Sequence, residues 1–266
     1  MSQEYKGIIL AGGKGTRLYP VTKVINKHLL PIYDKPMIYY SLSVLLLAKI
    51  KDILIISESN HIDSFKKILK DGSQIGINLS YKIQEKPQGV AQALHIGEKF
   101  IGKDNIALIL GDNFFFGSNF RDKILKAKKQ NKGATLFTYP VKNTRDFGII
   151  TFDKKNIPIS IIEKPKKSKS KLAVTGLYFY NNKAIQYAKH ISLSKRKEFE
   201  ITDLNKIFLK KKLINCVNLD RGFYWNDAGT FDGIDDISKQ IRLLETRHNL
   251  KIGNPEEIAR HNGWLL

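Results

Sequence analysis

The sequence predicts an α/β fold: a Rossmann-like, mixed but mostly parallel sheet flanked by helices, with a smaller substrate-facing subregion in its second half. Three observations predict it. The 266 residues are 42% hydrophobic and 26% charged, the balance of an ordinary globular chain with room for one large domain or two small ones. Runs of strand length rich in Ile, Val and Leu alternate with helical patterns, as parallel strands joined by crossover helices require. No linker rich in Gly, Pro or Ser interrupts that rhythm.

Taken in order, strands are expected at Lys6 to Ala11, Asp52 to Ser57, Leu79 to Ile83, Ile106 to Leu110 and Ala134 to Pro140, with helices between them at Met37 to Lys49, Ser64 to Lys70, Ala91 to Phe100 and Phe120 to Lys129. From about Phe147 the extended runs shorten: Gly148 to Phe152, Ile157 to Glu163, Val174 to Tyr180 and Ile214 to Asn218. Helices are expected there at Lys183 to Ile191 and Asp203 to Lys211. These boundaries divide a main domain, residues 1–232, into halves 1–146 and 147–232. The helical run Ile234 to Thr246 and the tail Ile252 to Leu266 form a C-terminal appendage, 233–266, suited to an interface.

Charge is the unusual entry. Forty-five Lys and Arg against 25 Asp and Glu leave +20, a field that attracts nucleic acid, anionic membrane or phosphorylated small molecules. The lysines cluster at Lys126 to Lys132, Lys164 to Lys171, Lys195 to Lys197 and Lys210 to Lys212 without interleaved aromatics, and no nucleic-acid module is recognisable. The longest apolar stretch, Met37 to Ala48, is too short to span a bilayer, and Met1 to Lys6 is polar, so no membrane contact and a cytoplasmic location are expected. Cys216, the one cysteine, lies in an apolar run and is expected to be a buried thiol. The six histidines form no zinc spacing with it.

Chemistry concentrates after the first strand, in Gly12-Gly13-Lys14-Gly15-Thr16-Arg17-Leu18. Glycines let backbone N–H groups turn toward an anion while basic side chains neutralise it, so a phosphate cradle is the functional reading; a tight strand-to-helix turn without ligand is the bland one. The loop is neither a Walker loop, because Gly15 follows Lys14, nor a dinucleotide fingerprint, because Leu18 stands where its third glycine belongs. Asp112 closes the strand Ile106 to Leu110, where open α/β sheets place ligands, although a lone Asp there also serves as a turn residue.

With its continuation, Lys27-x-Leu29-Leu30-Pro31-Ile32-Tyr33-Asp34-Lys35-Pro36, the loop resembles the signature of the sugar-1-phosphate nucleotidylyltransferases. The likeness continues through Gln84-x-x-Pro87-x-Gly89, Leu110-Gly111-Asp112-Asn113, Glu163-Lys164-Pro165, Val174-Thr175-Gly176-Leu177-Tyr178, Glu200-Ile201-Thr202-Asp203, Trp225-x-Asp227-x-Gly229-Thr230 and Pro255 to Ala259, nearly the whole chain.

That resemblance implies a nucleotide-diphospho-sugar transferase fold, with residues 1–146 binding nucleotide and 147–232 binding sugar. It implies Mg²⁺-dependent transfer of a nucleotidyl group to a sugar 1-phosphate, glucose 1-phosphate first, from dTTP, with UTP the alternative donor. Arg17, Lys27 and Lys164 would be catalytic. Leu10, Gly12, Gly13, Gly15, Thr16, Arg17, Gln84, Pro87, Gly89 and Asp112 would hold the nucleotide. Gly148, Glu163, Lys164, Val174, Gly176 and Tyr178 would hold the sugar phosphate, and Asp112 and Asp227 the metal. Assembly as a homotetramer, a dimer of dimers, is implied too. His28 and Phe147 depart from the usual glutamine and tyrosine, and a histidine at that place reads as a packing variant. The reading from a different class is a basic nucleic-acid-binding protein.

Overall fold

Residues 4–248 and 251–265 are described by the computed structural model; Met1 to Gln3 and the last residue of the predicted tail, Leu266, lie outside them. In chain order the elements are β1 (Tyr5–Leu10), β2 (Pro31–Ile32), β3 (Lys35–Pro36), α1 (Ile38–Leu47), β4 (Asp52–Ser57), α2 (Ile62–Leu69), β5 (Asn78–Ile83), α3 (Gln92–Ile101), β6 (Asn105–Leu110) and β7 (Asn113–Gly117). They continue as α4 (Phe120–Gln130), β8 (Ala134–Pro140), β9 (Gly148–Phe152), β10 (Pro158–Glu163), β11 (Leu172–Tyr180), α5 (Lys183–Ala188), α6 (Ile201–Lys210), β12 (Ile214–Asn218), β13 (Phe223–Asp227), α7 (Phe231–His248) and α8 (Pro255–His261). This is the expected mixed, mostly parallel sheet flanked by helices.

Two compact units divide the chain, and neither is one continuous segment. The first comprises Lys6–Pro87, Ile109–Phe116 and Tyr224–Leu266. Its strands β1, β4 and β5 run parallel, with Gly7 opposite Ile53 and Asp52 opposite Asn78. Strand β4 reads Asp-Ile-Leu-Ile-Ile-Ser and is buried from Ile53 to Ser57, as a parallel strand covered on both faces must be. Helix α2 shows why the sequence flanks such a sheet: Ile62, Phe65 and Leu69 recur at helical spacing and are buried, while Lys66 and Lys67 face water. The C-terminal helices belong to this unit. Ile237 and Ile241 of α7, with Ile252, pack into one cluster with Ile32, Met37, Tyr40, Phe114 and Ala228. The buried Glu245 carboxylate accepts from the Ile252 N–H at 2.8 Å and from Lys251 Nζ at 2.9 Å, fixing the entry to α8.

The second unit comprises Met1–Tyr5, Gln88–Leu108 and Gly117–Phe223. Its axis is β11, nine residues buried from Ala173 to Tyr180. It pairs antiparallel with β8 and, at Leu172 and Ala173, with β9; β10 adds antiparallel to β9, and β12 runs parallel to β8. Helix α6 packs on β10 and β12 through a face carrying Leu204 and Phe208.

The strand pattern predicted from sequence is recovered within two residues at each end, whereas some helix ends differ further. Helix α5 stops at Ala188, short of Ile191, and α6 begins at Ile201 because Glu200 is extended and serves as its N-terminal boundary. Cys216 corrects an expectation: it is half-buried on β12, and desolvation pushes its thiol pKa up to about 12.

Candidate active site

The first unit carries the glycine loop. Strand β1 ends at Leu10, and Ala11 stays tied to the sheet through its N–H to Ile56 O at 2.8 Å. A Cβ on Gly12 would collide with the Gln84 side-chain oxygen, so the absence of a side chain lets the buried Gln84 reach the loop. Gly13 (φ +104°) and Gly15 (φ +56°) adopt backbone angles that L residues rarely enter. Beyond them Thr16–Leu18 closes a 3₁₀ turn, with Leu18 fully buried as its anchor and Arg17 left exposed. Arg17 Nη2 lies 4.0 Å from Asp227 Oδ2, and Gly229 is tight against the same guanidinium.

Lys27 stands in another 3₁₀ turn, Lys27–Leu29. Asn26 fixes that turn, accepting from the His28 N–H at 2.9 Å and donating to Ala11 O at 3.1 Å. The turn points Lys27 Nζ at Asp112 Oδ2, 2.5 Å away. Asn113 donates to the other Asp112 oxygen at 3.0 Å. Burial by itself would raise the Asp112 pKa, but the Lys27 charge and these hydrogen bonds outweigh it and hold the carboxyl well below the usual carboxylate range. Asp112 is therefore ionised at neutral pH.

Asp227 approaches through pairing that local sequence did not announce. Strands β13 and β7 form a two-stranded sheet, Trp225 Nε1 donates to Asn113 Oδ1 at 2.8 Å, and the Ala228 N–H donates to Asp112 O at 2.8 Å. Both carboxylates thus lie within one unit that also holds Arg17 and Lys27. Among the described residues no three His, Cys, Asp or Glu side chains gather to hold a metal. Two carboxylates suffice for Mg²⁺, which usually keeps water and substrate phosphate as its other ligands. His28 sits beside this pair as packing. It is buried against Gly111, its Nδ1 bonds Asn26 Oδ1 at 2.8 Å, and desolvation with the neighbouring Lys27 charge pushes its pKa down to about 3.

The second unit carries the other cluster. Gly148 opens β9 opposite Glu163, the last residue of β10. A larger residue at 148 would press on Thr202 and on the Glu163 carboxylate, which accepts from Thr202 Oγ1 at 2.5 Å. Lys164 follows with φ +43°, its N–H bonded to Phe147 O at 3.0 Å and its side chain exposed. Val174, Gly176 and Tyr178 share one face of β11, whose pairing with β8 is irregular between Val174 and Tyr178. Gly89 (φ +96°) lies directly on the Phe199 backbone, and Phe199 N–H donates to Gln88 O at 2.7 Å. Pro87 closes the first unit's opening segment and is half-buried.

Sequence reasoning missed Arg196. Its guanidinium meets Glu200 at 2.7 Å, Glu198 at 3.2 Å and Glu163 at 3.5 Å, and Ser194 Oγ donates to Glu200 at 2.7 Å. The residue is hidden in a lysine-rich stretch that reads as solvated surface. The usable signal is one planar guanidinium two and four residues from glutamates, a type suited to forked carboxylate and phosphate contacts.

The chain matches the nucleotidyl transferase family over residues 6–243. It is 50% identical over 260 residues to the glucose-1-phosphate thymidylyltransferase of Neisseria meningitidis serogroup A, covering 98% of this chain and 90% of that one. To the enzyme of the same name in Mycobacterium tuberculosis it is 45% identical, again over 98% of this chain and 90% of the relative. Among solved structures, a Bacillus anthracis protein described as a candidate glucose-1-phosphate thymidylyltransferase, in complex with a sucrose, superposes with a TM-score of 0.85 at 38% identity, covering 95% of this chain and 99% of that one. A UDP-glucose pyrophosphorylase complexed with UDP-glucose shares the fold at TM-score 0.80 and 24% identity, over 90% of this chain and 99% of the other.

Proposed function

The chain belongs to the nucleotidyl transferase family, and on that premise we propose that it makes dTDP-glucose. A phosphate oxygen of glucose 1-phosphate attacks the α-phosphorus of dTTP, the new P–O bond forms, and the bond to the β-phosphate breaks to release pyrophosphate. Phosphoryl-group chemistry of this kind asks a protein for positioning and charge neutralisation more than for a proton shuttle. The observation that carries the reading is Lys27 on Asp112 at 2.5 Å, beside a glycine loop whose Arg17 stands 4.0 Å from Asp227.

Leu10, Gly12, Gly13, Gly15 and Thr16 line the nucleotide, and Gln84, Pro87 and Gly89 read its base. Arg17 and Lys27 neutralise the triphosphate, and Arg17 meets charge building on the leaving pyrophosphate. The family works with a divalent metal. Asp112, ionised at neutral pH, and Asp227 offer hard carboxylate oxygens that fit Mg²⁺, and the ion when bound would screen phosphate charge and align the triphosphate. Lys164 neutralises the sugar phosphate. Glu163 accepts sugar hydroxyls in the pocket that Gly148, Val174, Gly176 and Tyr178 complete, and Arg196 joins this set. Supporting the choice of donor and acceptor are the names of the Neisseria and Mycobacterium relatives.

A cytoplasmic location is part of the proposal; no described helix is long and apolar enough to cross a membrane. Assembly as a homotetramer completes the proposal. The deciding assay supplies glucose 1-phosphate, dTTP and Mg²⁺ and measures pyrophosphate. Failure to release it with any sugar 1-phosphate and any nucleoside triphosphate would overturn the reading.

A further inference from the structure

The positive charge is not shared evenly. Of the chain's 45 Lys and Arg and 25 Asp and Glu, 27 and 11 fall in the second unit, which leaves +16 there and +4 in the first. Within the second unit lysines gather at both ends of β8. At its C-terminal end Pro140 lies opposite Leu172 of β11, and the loop Lys164 to Lys171, which follows Glu163 and leads into Leu172, carries five lysines. Ser170 Oγ donates to Ile150 O at 2.6 Å and the Val141 N–H to Lys171 O at 2.9 Å, so the loop is tied to the end of the sheet where Gly148 faces Glu163. Lys195 and Lys197 join it there, because Arg196 between them reaches Glu163 at 3.5 Å. At the N-terminal end of β8 the Ala134 N–H donates to Leu213 O at 2.9 Å, which brings Lys210 to Lys212 beside Lys132.

The first of these clusters surrounds carboxylates. Glu163, Glu198 and Glu200 stand together on Arg196 alone, so by themselves they leave a negative site. A phosphate monoester carries about −1.5 to −2 at pH 7, and such a site would repel it. Lys166, Lys167, Lys169, Lys171, Lys195 and Lys197 are exposed, and among the described residues no carboxylate lies within 4.0 Å of any of them. Six ammonium groups cannot all touch one phosphate. Each does act over about 10 Å at 0.1 M salt, and a cleft rimmed by one sign of charge concentrates ligands of the other. We infer that this lysine rim is a capture surface that draws the sugar phosphate dianion past the glutamates by attraction at a distance, leaving Lys164 to meet the phosphate. The inference rests on the nucleotidyl-transfer reading, whose sugar substrate it concerns.

Salt separates attraction at a distance from contact. Joint substitution Lys166→Gln, Lys167→Gln and Lys169→Gln is expected to lower kcat/KM for glucose 1-phosphate about threefold at 0.1 M KCl, with kcat and the KM for dTTP unchanged. At 1 M KCl, where the screening length is about 3 Å, the variant is expected to match the parent protein. The control is Lys210→Gln with Lys211→Gln and Lys212→Gln, an equal charge change at the other end of the seven-residue strand β8. That end lies about 20 Å away at roughly 3.3 Å per residue, two screening lengths at 0.1 M, so kcat/KM is expected to stay at the parent value. An unchanged kcat/KM in the first variant at 0.1 M would overturn the inference, as would a loss that persists at 1 M or an equal loss in both variants. Transfer that proceeds with the rim lysines immaterial removes the capture surface alone; absence of transfer from every substrate pair removes the reaction and the inference with it.

Discussion

The ammonium of Lys27 and the carboxylate of Asp112, 85 positions apart in the chain, meet at 2.5 Å with side chains only 15% and 13% exposed. Each group alone would be costly to keep at that depth, and together they are stable only while both are charged. In the proposed reaction, a phosphate and a divalent ion that enter exchange partners with them.

Replacing Asp112 by Asn keeps the shape and the Asn113 hydrogen bond but removes the charge. Turnover is expected to fall about tenfold or more, with the dependence on Mg²⁺ concentration shifted upward. An unchanged rate at every Mg²⁺ concentration would take Asp112 out of the chemistry.

His28 makes stability depend on pH. Its folded pKa is about 3 against 6.5 for the free side chain, so the unfolded chain takes up a proton that the folded chain refuses. The stabilisation is complete above about pH 6.5 and is lost as pH falls toward 3, at up to about 1.4 kcal/mol per pH unit. Urea unfolding measured from pH 7 to pH 4 is expected to show this slope, and His28→Gln to flatten it. A slope equal in both proteins would contradict the assignment.

Gly12 and Gln84 are matched by exclusion, since a methyl group on the first would occupy the place of the second's amide oxygen. Gly12→Ala is expected to raise the KM for the nucleotide at least about tenfold and to cost roughly 1–3 kcal/mol of stability. Adding Gln84→Ala is expected to restore most of the stability and none of the nucleotide binding. Additive losses of stability in the double variant would count against the contact.

Thr202 bears on the proposed sugar site. Thr202→Val removes the hydroxyl that donates to Glu163 while keeping the volume, leaving that carboxylate with Arg196 alone. The KM for glucose 1-phosphate is expected to rise about tenfold with the KM for dTTP unchanged. A parallel rise in both would mean a disturbed fold.

How much of this was legible follows from where the information lies. Strands β1, β4 and β9 were readable because their apolar runs are buried by local composition alone. Strands β7 and β13 were not: Asn-Phe-Phe-Phe-Gly and Phe-Tyr-Trp-Asn-Asp become strands by pairing with each other across more than a hundred residues. The glycine loop, Lys27, Asp112 and Asp227 were legible as motif positions, yet their convergence depends on the Ala228 N–H reaching Asp112 O. Arg196 escaped because a guanidinium that organises three glutamates looks, in one dimension, like one more basic residue on a basic surface.

The patchwork of the first unit has a consequence for how the protein is made. Asp112 and Asp227 arrive in its second and third segments, Ile109–Phe116 and Tyr224–Leu266. A chain leaving the ribosome can build β1, β4 and β5 early, but the acidic pair stays incomplete until Asp227 has emerged, many seconds later at about 5–20 residues per second. A prematurely terminated product ending before Trp225 would carry the basic loop without its second carboxylate, one half of the proposed site without the other.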